Sequence, residues 1–322
     1  MHQGGFGVMT HYLADAASAA SAPDLSVEQW NRRVDSFDVP GLVAQLREVG
    51  AAWLIFTLGQ NSGFYCSPNA AYDRLVGHDP SRLSRRDLVG ELGAALKAEG
   101  IRLIAYLPSH APAHDRQAIE GLACTPRWDA GKWGYHKRCY AVQADTDERL
   151  TNFQRNWEAV VAEWSQRWGG NVGGWWIDGC YYADRMYRRD DDDPGFRSFA
   201  TALKAGNADS LVAFNPGVLA NVVCHTPFED YTAGECNVLV TAHRHDRWDR
   251  WVTGAQRHIL TYLAWWWGDG EPRFPDELPP AYTRHVVKQG GVVTWDVPIS
   301  ARGRLSEAFM RQLAAIQPEI GR

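Results

Sequence analysis

The sequence predicts an α/β chain folded as a TIM-like (β/α)8 barrel, with helices irregular or missing in its second half. Three observations predict it. Apolar runs of strand length alternate about eight times with stretches of helical spacing. The chain has 322 residues, ordinary barrel length, so residues 1–322 are expected to form one catalytic domain. Finally, amides, imidazoles and carboxylates stand where the apolar runs end, and in a parallel barrel those ends share one face.

The elements follow in order. Phe6 to Leu13 is a short apolar run and reads as the first strand. Val39 to Val49 repeats apolar residues at helical spacing (Leu42, Val43, Leu46, Val49), with Pro40 in its first turn and Gly50 as its stop. Ala51 to Leu58 is continuously apolar, the pattern of a strand buried on both faces, and breaks at Gly59. Leu88 to Ala98 is helical and stops at Gly100; Ile101 to Leu107 is the third strand. Asn152 to Trp168 is an amphipathic helix ended by Gly169-Gly170. Gly173 to Tyr181 supplies the fourth strand, in which Trp175, Trp176 and Ile177 run into Asp178 and Gly179.

Beyond it, Phe196 to Ala205 reads as a helix and Leu211 to Phe214 as a strand ending in Asn215-Pro216-Gly217. Asp230 to Glu235 is the sixth strand, and Arg250 to Ile259 leads into a seventh at Leu260 to Trp267, bounded by Gly268. Tyr282 to Lys288 is a short helix and Val292 to Val297 the eighth strand. Ser306 to Ile316 is a closing helix capped by Ser306. The span Gly206 to Trp267 writes its helices poorly, and a loop is expected to replace one of them.

Bulk properties exclude some partners. A formal charge of −5 and a pI near 6.1 argue against nucleic acid and anionic membrane, which both call for a basic face. No apolar run approaches the ~20 residues needed to span a bilayer. The start of the chain lacks a basic segment, and Asp15 interrupts Tyr12 to Ala20, so no secretory signal and a cytoplasmic location are expected. The six cysteines show no metal-type spacing and read as reduced, buried thiols; no cofactor or metal is expected. His243-Arg244-His245 has an HxH spacing, which reads as a surface or substrate-loop pair before it reads as a metal site. Asp190 to Asp193 reads as a solvated loop.

A carboxylate ending a buried strand is costly unless it is paired. Asp178 is therefore either the cap of the following loop or a catalytic group. The predicted strand ends would gather His11, Gly59-Gln60-Asn61, Pro108-Ser109-His110, Asp178, Asn215, Glu235, Trp267-Gly268-Asp269 and Asp296. Neither a glycine-rich phosphate cradle nor a GxSxG elbow is present. Two carboxylates flanking a polar, aromatic-walled pocket suit cleavage of a glycosidic bond. With 15 Trp in the chain, the indoles are either sugar platforms (Trp128, Trp133, Trp265, Trp267, with Tyr181) or core packing.

These motifs, in this order, resemble glycoside hydrolase family 29, the retaining α-L-fucosidases. Phe6-Gly7-Val8-Met9-Thr10-His11-Tyr12 is similar to the family's FGLFIHWG strand, and Trp175-Trp176-Ile177-Asp178-Gly179 to its WFDG. Tyr262 to Gly268 stands where the family has an SWGY-type strand, and Gly290 to Pro298 resembles GGNLLLNVGP. The resemblance implies that Asp178 is the nucleophile and His11 a sugar ligand. It further implies an acid/base in Asp230-Tyr231-Thr232-Ala233-Gly234-Glu235, similar to DYxTPE: Glu235, with Asp230 and Glu229 as alternatives. Gln60 and Asn61 replace the imidazoles of the family's KHHDGF motif and remain able to bind hydroxyls. Gln60, Asn61, Tyr106, Trp176, Asn215, Trp267 and Asp296 complete the expected substrate site.

The expected function is therefore that of a retaining exo-α-glycosidase acting on a glycoside or oligosaccharide, as a single catalytic domain lacking the family's usual C-terminal β-sandwich. The amides at Gln60 and Asn61 leave open a different deoxy- or L-sugar, or a carbohydrate-binding barrel without catalysis. A homodimer through exposed aromatics is likewise open.

Overall fold

The structure is a computed structural model that describes residues 5–15, 23–124, 150–180, 192–218, 222–224, 226–240 and 254–317. Seven parallel strands form one curled sheet: β1 (Phe6–Thr10), β2 (Trp53–Thr57), β3 (Arg102–Pro108), β4 (Gly174–Asp178), β5 (Leu211–Phe214), β6 (His258–Tyr262) and β9 (Val292–Asp296). Their order is β5-β4-β3-β2-β1-β9-β6. This is a parallel half-barrel closed irregularly, in keeping with the predicted TIM-like architecture.

The closure comes from residues 230–236. They are not a regular strand, as the sequence had suggested, but they fill the gap between β5 and β6 as an eighth stave. Asp230 N–H donates to Val212 O on one side (2.8 Å). On the other, Thr232 donates to Gln256 O, Leu260 to Gly234 O and Cys236 to Leu260 O, at 2.9–3.0 Å. Gly234 makes this approach feasible: its φ is +66°, and a Cβ there would meet His258 O at 2.0 Å.

Strand side chains alternate between two cores. Phe6, Val8, Leu54, Phe56, Leu103, Trp175 and Ile177 face the surrounding helices. Met9, Trp53, Ile55, Ile104, Tyr106, Trp176, Ala213, Tyr231, Ala233, Leu260 and Val292 fill the barrel interior. Two residues past several of these inward positions stand His11, Asp178, Asn215, Glu235 and Tyr262, so strand parity aims them at the C-terminal mouth.

The helices Val39–Val49, Leu88–Ala98, Thr151–Trp168, Phe196–Leu203 and Glu307–Ala314 occupy predicted places, and Leu278–Lys288 begins before the predicted Tyr282. Asp38 caps Val39–Val49 by accepting Gly41 N–H at 2.9 Å, and Gly50 ends it in the left-handed conformation. Ser306 stands at the N-cap of Glu307–Ala314, but its side chain makes no capping hydrogen bond, contrary to expectation. Three helices went unpredicted: Val27–Asp35, Ala70–Val76 and Arg116–Gly121. The last two are too short to display a helical period.

The predicted strand Leu260 to Trp267 is two elements. β6 ends at Tyr262, and β7 (Ala264–Trp266) turns out of the barrel to pair antiparallel with β8 (Asp269–Pro272). The apolar run concealed the break: Trp265, open between sugar platform and core packing, and Trp266 are 69% and 41% exposed. Most other described indoles are core: Trp30, Trp53, Trp157, Trp164, Trp175, Trp176 and Trp295 are essentially buried. The five described cysteines are buried. Among the described residues no helix is long and apolar enough to cross a membrane, and no cluster of potential metal ligands occurs.

Candidate active site

Met9, His11, Gln60, Tyr106, Trp176, Asp178, Glu235, Leu260, Trp266 and Trp267 line a narrow pocket at the C-terminal ends of the strands. Its free space is about 50 Å³. A wider hollow at the opposite end, around Lys97, Arg102 and Asn171, sits where strands begin, the end that barrels use for stability rather than catalysis.

Asp178 is the last residue of β4 and receives three donors. Tyr106 O–H donates to Oδ2 at 2.5 Å, while Gly179 N–H (2.7 Å) and Asn215 Nδ2 (2.9 Å) donate to Oδ1. Such an arrangement complements an acceptor-only carboxylate. Gln60 Nε2 donates in turn to the Tyr106 oxygen at 2.8 Å, so that phenol accepts from one side and gives its proton to the other.

Glu235 stands on the irregular stave, opposite Asp178. Asn215 Nδ2 donates to its Oε2 at 2.6 Å as well as to Asp178, so the two bonded carboxylate oxygens lie within 5.5 Å of each other, the sum of the two bonds. Burial pushes the Glu235 carboxyl up to about 8, and the negative charge of Asp178 adds to this. The Asn215 hydrogen bond and the His11 charge oppose the rise without cancelling it. Burial and the neighbouring charge thus favour the protonated form of Glu235, beside a carboxylate surrounded by donors.

His11 forms the third side. Its Nδ1 pairs with Asp296 Oδ2 at 2.7 Å, and Gly268 N–H donates to Asp296 Oδ1 at 2.6 Å. Burial, the largest single influence, works to lower its pKa, but Asp296, Asp178 and Glu235 together hold it above the ordinary histidine value. Gly268 has φ +64°, and a Cβ on it would approach His11 Cβ to 2.7 Å, so the turn and the imidazole are fitted to each other.

The other expected residues fall into place unevenly. Trp176 is the floor, stacked on Tyr106 with ring centroids 5.3 Å apart and donating to Ala233 O at 3.0 Å. Trp267 lines the wall and donates to Asn237 Oδ1 at 3.3 Å. Asp296 and Asn215 act behind the lining rather than in it. Gln60 lines the pocket with its amide nitrogen engaged by Tyr106. Asn61 is not among the lining residues; its carbonyl accepts from His114 N–H at 2.8 Å.

Both alternatives to Glu235 are committed elsewhere. Asp230 Oδ2 accepts from Lys204 Nζ (2.8 Å) and Val212 N–H (2.9 Å). Glu229 accepts from Phe214 N–H (3.1 Å) and Thr226 N–H (3.0 Å). Met9, Leu260 and Trp266 were missed as lining residues, although Met9 was available from parity, two positions before His11. Trp128, Trp133, Tyr181, His243 and His245 lie outside the described residues, as do Asp190 and Asp191 of the charge run.

No family model and no curated protein matches the chain. Solved structures do. An endo-fucoidan hydrolase of glycoside hydrolase family 107 superposes with a TM-score of 0.73 at 17% identity, over 97% of this chain and 52% of that one. A second enzyme of that family gives 0.66 at 14% identity, covering 100% and 94%. An α-L-fucosidase from Lactobacillus casei, solved with α-L-fucose product, gives 0.58 at 14% identity, over 99% and 96%.

The fold resembles that of fucosidases and fucoidanases. At such identities the likeness concerns the fold alone, and the chain spans only half to two-thirds of the first such structures. The resemblance to α-L-fucosidases read from the strand-end motifs thus has a structural counterpart, to which the family 107 enzymes are an addition that the motifs did not suggest.

Proposed function

We propose that the chain is a retaining α-glycosidase of fucosidase type, removing a terminal L-fucose or closely related deoxy sugar. One observation carries this reading: the single Asn215 amide nitrogen that holds both Asp178 and Glu235. The spacing it implies suits the ~5–5.5 Å of retaining enzymes rather than the ~6.5–9.5 Å of inverting ones. The strand-end motifs similar to glycoside hydrolase family 29 support the same assignment, and the structurally similar L. casei enzyme was solved with fucose.

In the first step an Asp178 oxygen attacks the anomeric carbon as the bond to the leaving oxygen breaks, and Glu235 gives its proton to that oxygen. In the second, ionised Glu235 takes a proton from water, whose oxygen attacks the anomeric carbon and releases Asp178. Tyr106 and Asn215 orient the nucleophile, His11 and Trp267 stand where ring hydroxyls and an apolar sugar face would be met, and Trp176 supports Tyr106 from below. A protonated carboxyl beside a donor-rich one favours catalysis over a sugar-binding barrel.

The test is hydrolysis of an aryl α-L-fucoside by Asp178→Ala. Turnover is expected to fall at least a thousandfold and to recover partly with added azide, while a 2-fluoro-fucosyl reagent labels Asp178 of the native chain. Wild-type turnover by the variant would reject the assignment. Brisk hydrolysis of another deoxy- or L-sugar glycoside in preference to the fucoside would keep the mechanism and change the sugar.

A further inference from the structure

His258 is a buried imidazole that the proposed chemistry does not touch. It stands on β6 two residues before Leu260, which lines the pocket, so strand parity puts it inside the barrel one layer below the lining. Thr232, Thr294 and Trp53 around it are buried as well. A polar ring in such a place has to be hydrogen-bonded, and this one is engaged through both nitrogens.

The bonds occupy an interruption in the ladder between β6 and the stave of residues 230–236. Gln256 N–H donates to Asp230 O and Leu260 N–H to Gly234 O, main chain to main chain. Between them His258 N–H goes instead to Thr232 Oγ1 at 2.8 Å, and that hydroxyl donates to His258 O at 2.7 Å. The imidazole Nδ1 pairs with Thr232 O at 2.9 Å, and Nε2 pairs with Thr294 Oγ1, on β9, at 2.7 Å. Trp53 Nε1, on β2, donates to the same Thr294 oxygen at 2.7 Å.

The two ends of this chain of bonds fix its protons. An indole N–H can only donate, and a carbonyl oxygen can only accept. One arrangement uses every group: Thr294 accepts from Trp53 and gives its own proton to Nε2, and Nδ1–H donates to Thr232 O. It needs a neutral imidazole, the form that burial favours by lowering the His258 pKa to about 4. The network thus ties β2, β9 and β6 to the stave at Thr232. Glu235 stands three residues further on, past the left-handed Gly234, on a segment with no regular strand geometry to hold it. Asp178 draws its donors from Tyr106, Gly179 and Asn215, and none of these bonds to His258, Thr294 or Trp53.

We infer that His258 is a positioning residue for Glu235: held by Thr294, it fixes the stave at Thr232 and so sets where the acid carboxyl meets the leaving oxygen. The inference rests on the glycosidase reading and deepens it, assigning to an imidazole outside the pocket the alignment of one of the two carboxylates.

Two aryl α-L-fucosides test it. A dinitrophenolate leaves without a proton, whereas a 4-methoxyphenol needs one from the acid. In His258→Phe, kcat/KM on the methoxyphenyl fucoside is expected to fall about thirtyfold, mostly through kcat, and on the dinitrophenyl fucoside by less than about threefold. His258→Asn, whose amide can still donate to Thr232 O, should recover most of the difference. Thr294→Val, which removes the hydroxyl and keeps the volume, should shift the ratio the same way by about threefold to tenfold, and it decides the matter if His258→Phe does not fold. Equal losses on the two fucosides, or a native ratio in the folded variants, overturn the inference, while the glycosidase reading stands as long as Asp178→Ala is inactive. If the native chain cleaves neither fucoside, the glycosidase reading fails and the assignment of His258 is overturned with it.

Discussion

Asn215→Ala removes the nitrogen that donates to both Asp178 and Glu235, the two carboxylates of the proposed mechanism. Its bond to Glu235 stabilises the ionised form and so opposes the burial that raises that carboxyl to about 8. Hydrogen bonds to charged groups are worth about 1.5–3 kcal/mol. At about 1.4 kcal/mol per pH unit, their loss corresponds to one or two units. Glu235 in the variant should keep its proton to higher pH, and because the proposed mechanism needs its acid form, the alkaline limb of kcat/KM should move upward by about that amount. At the optimum, kcat/KM should drop by about 10–100-fold, since the two carboxylates lose their common positioning group.

The assay is a pH–rate profile of the native chain and the variant on an aryl fucoside, with circular dichroism to establish that both are folded. An alkaline limb that stays in place, or moves to lower pH, would refute the electrostatic account of Glu235. Stability has a related sign. A carboxyl whose pKa is raised by folding favours the fold below its ordinary value near 4.5, and that contribution is lost as pH rises toward 8.

Further outcomes follow from the same geometry. Glu235→Gln should lose about 10²–10⁴-fold on substrates with poor leaving groups but far less on a dinitrophenyl glycoside, and its alkaline limb should vanish; equal losses on both would remove Glu235 from the acid role. Gly268→Ala should cost about 1–2 kcal/mol, measured by denaturant unfolding, because the residue has positive φ. It should also lower kcat/KM at least tenfold, because the new Cβ collides with His11; native activity together with native stability would contradict the fitted turn.

The parts of this site that could be read in the sequence are those set by strand parity. Asp178 was legible because a continuous apolar run ends on it, and Asp296 for the same reason. Glu235 was legible only as one of three neighbouring acids, and what separates them is not in the residue types. Asp230 and Glu229 bind main-chain N–H groups of and near β5, whereas Glu235, two residues past inward-facing Ala233, points to the pocket. The Asn215 bridge depends on a rotamer between two staves and leaves no trace in the pattern. Trp265 stayed open between sugar platform and core packing because an exposed indole and a buried one are written with the same letter. Asn61 was named from its position in a motif, and the structure places it next to the lining residue Gln60 rather than in the lining.

The bond between His11 and Asp296 joins residues 285 positions apart, on strands β1 and β9. β9 follows β6 in the chain, and it enters the sheet between β1 and β6 rather than adding to an edge. Long-range closure of this kind is slow, because a large loop entropy is lost before the contacts that offset it form. A chain still being synthesised can therefore carry Asp178 and Glu235 without having a working pocket. In the proposed glycosidase a working pocket would come only with the insertion of β9, which predicts that turnover recovers later in refolding than helical content.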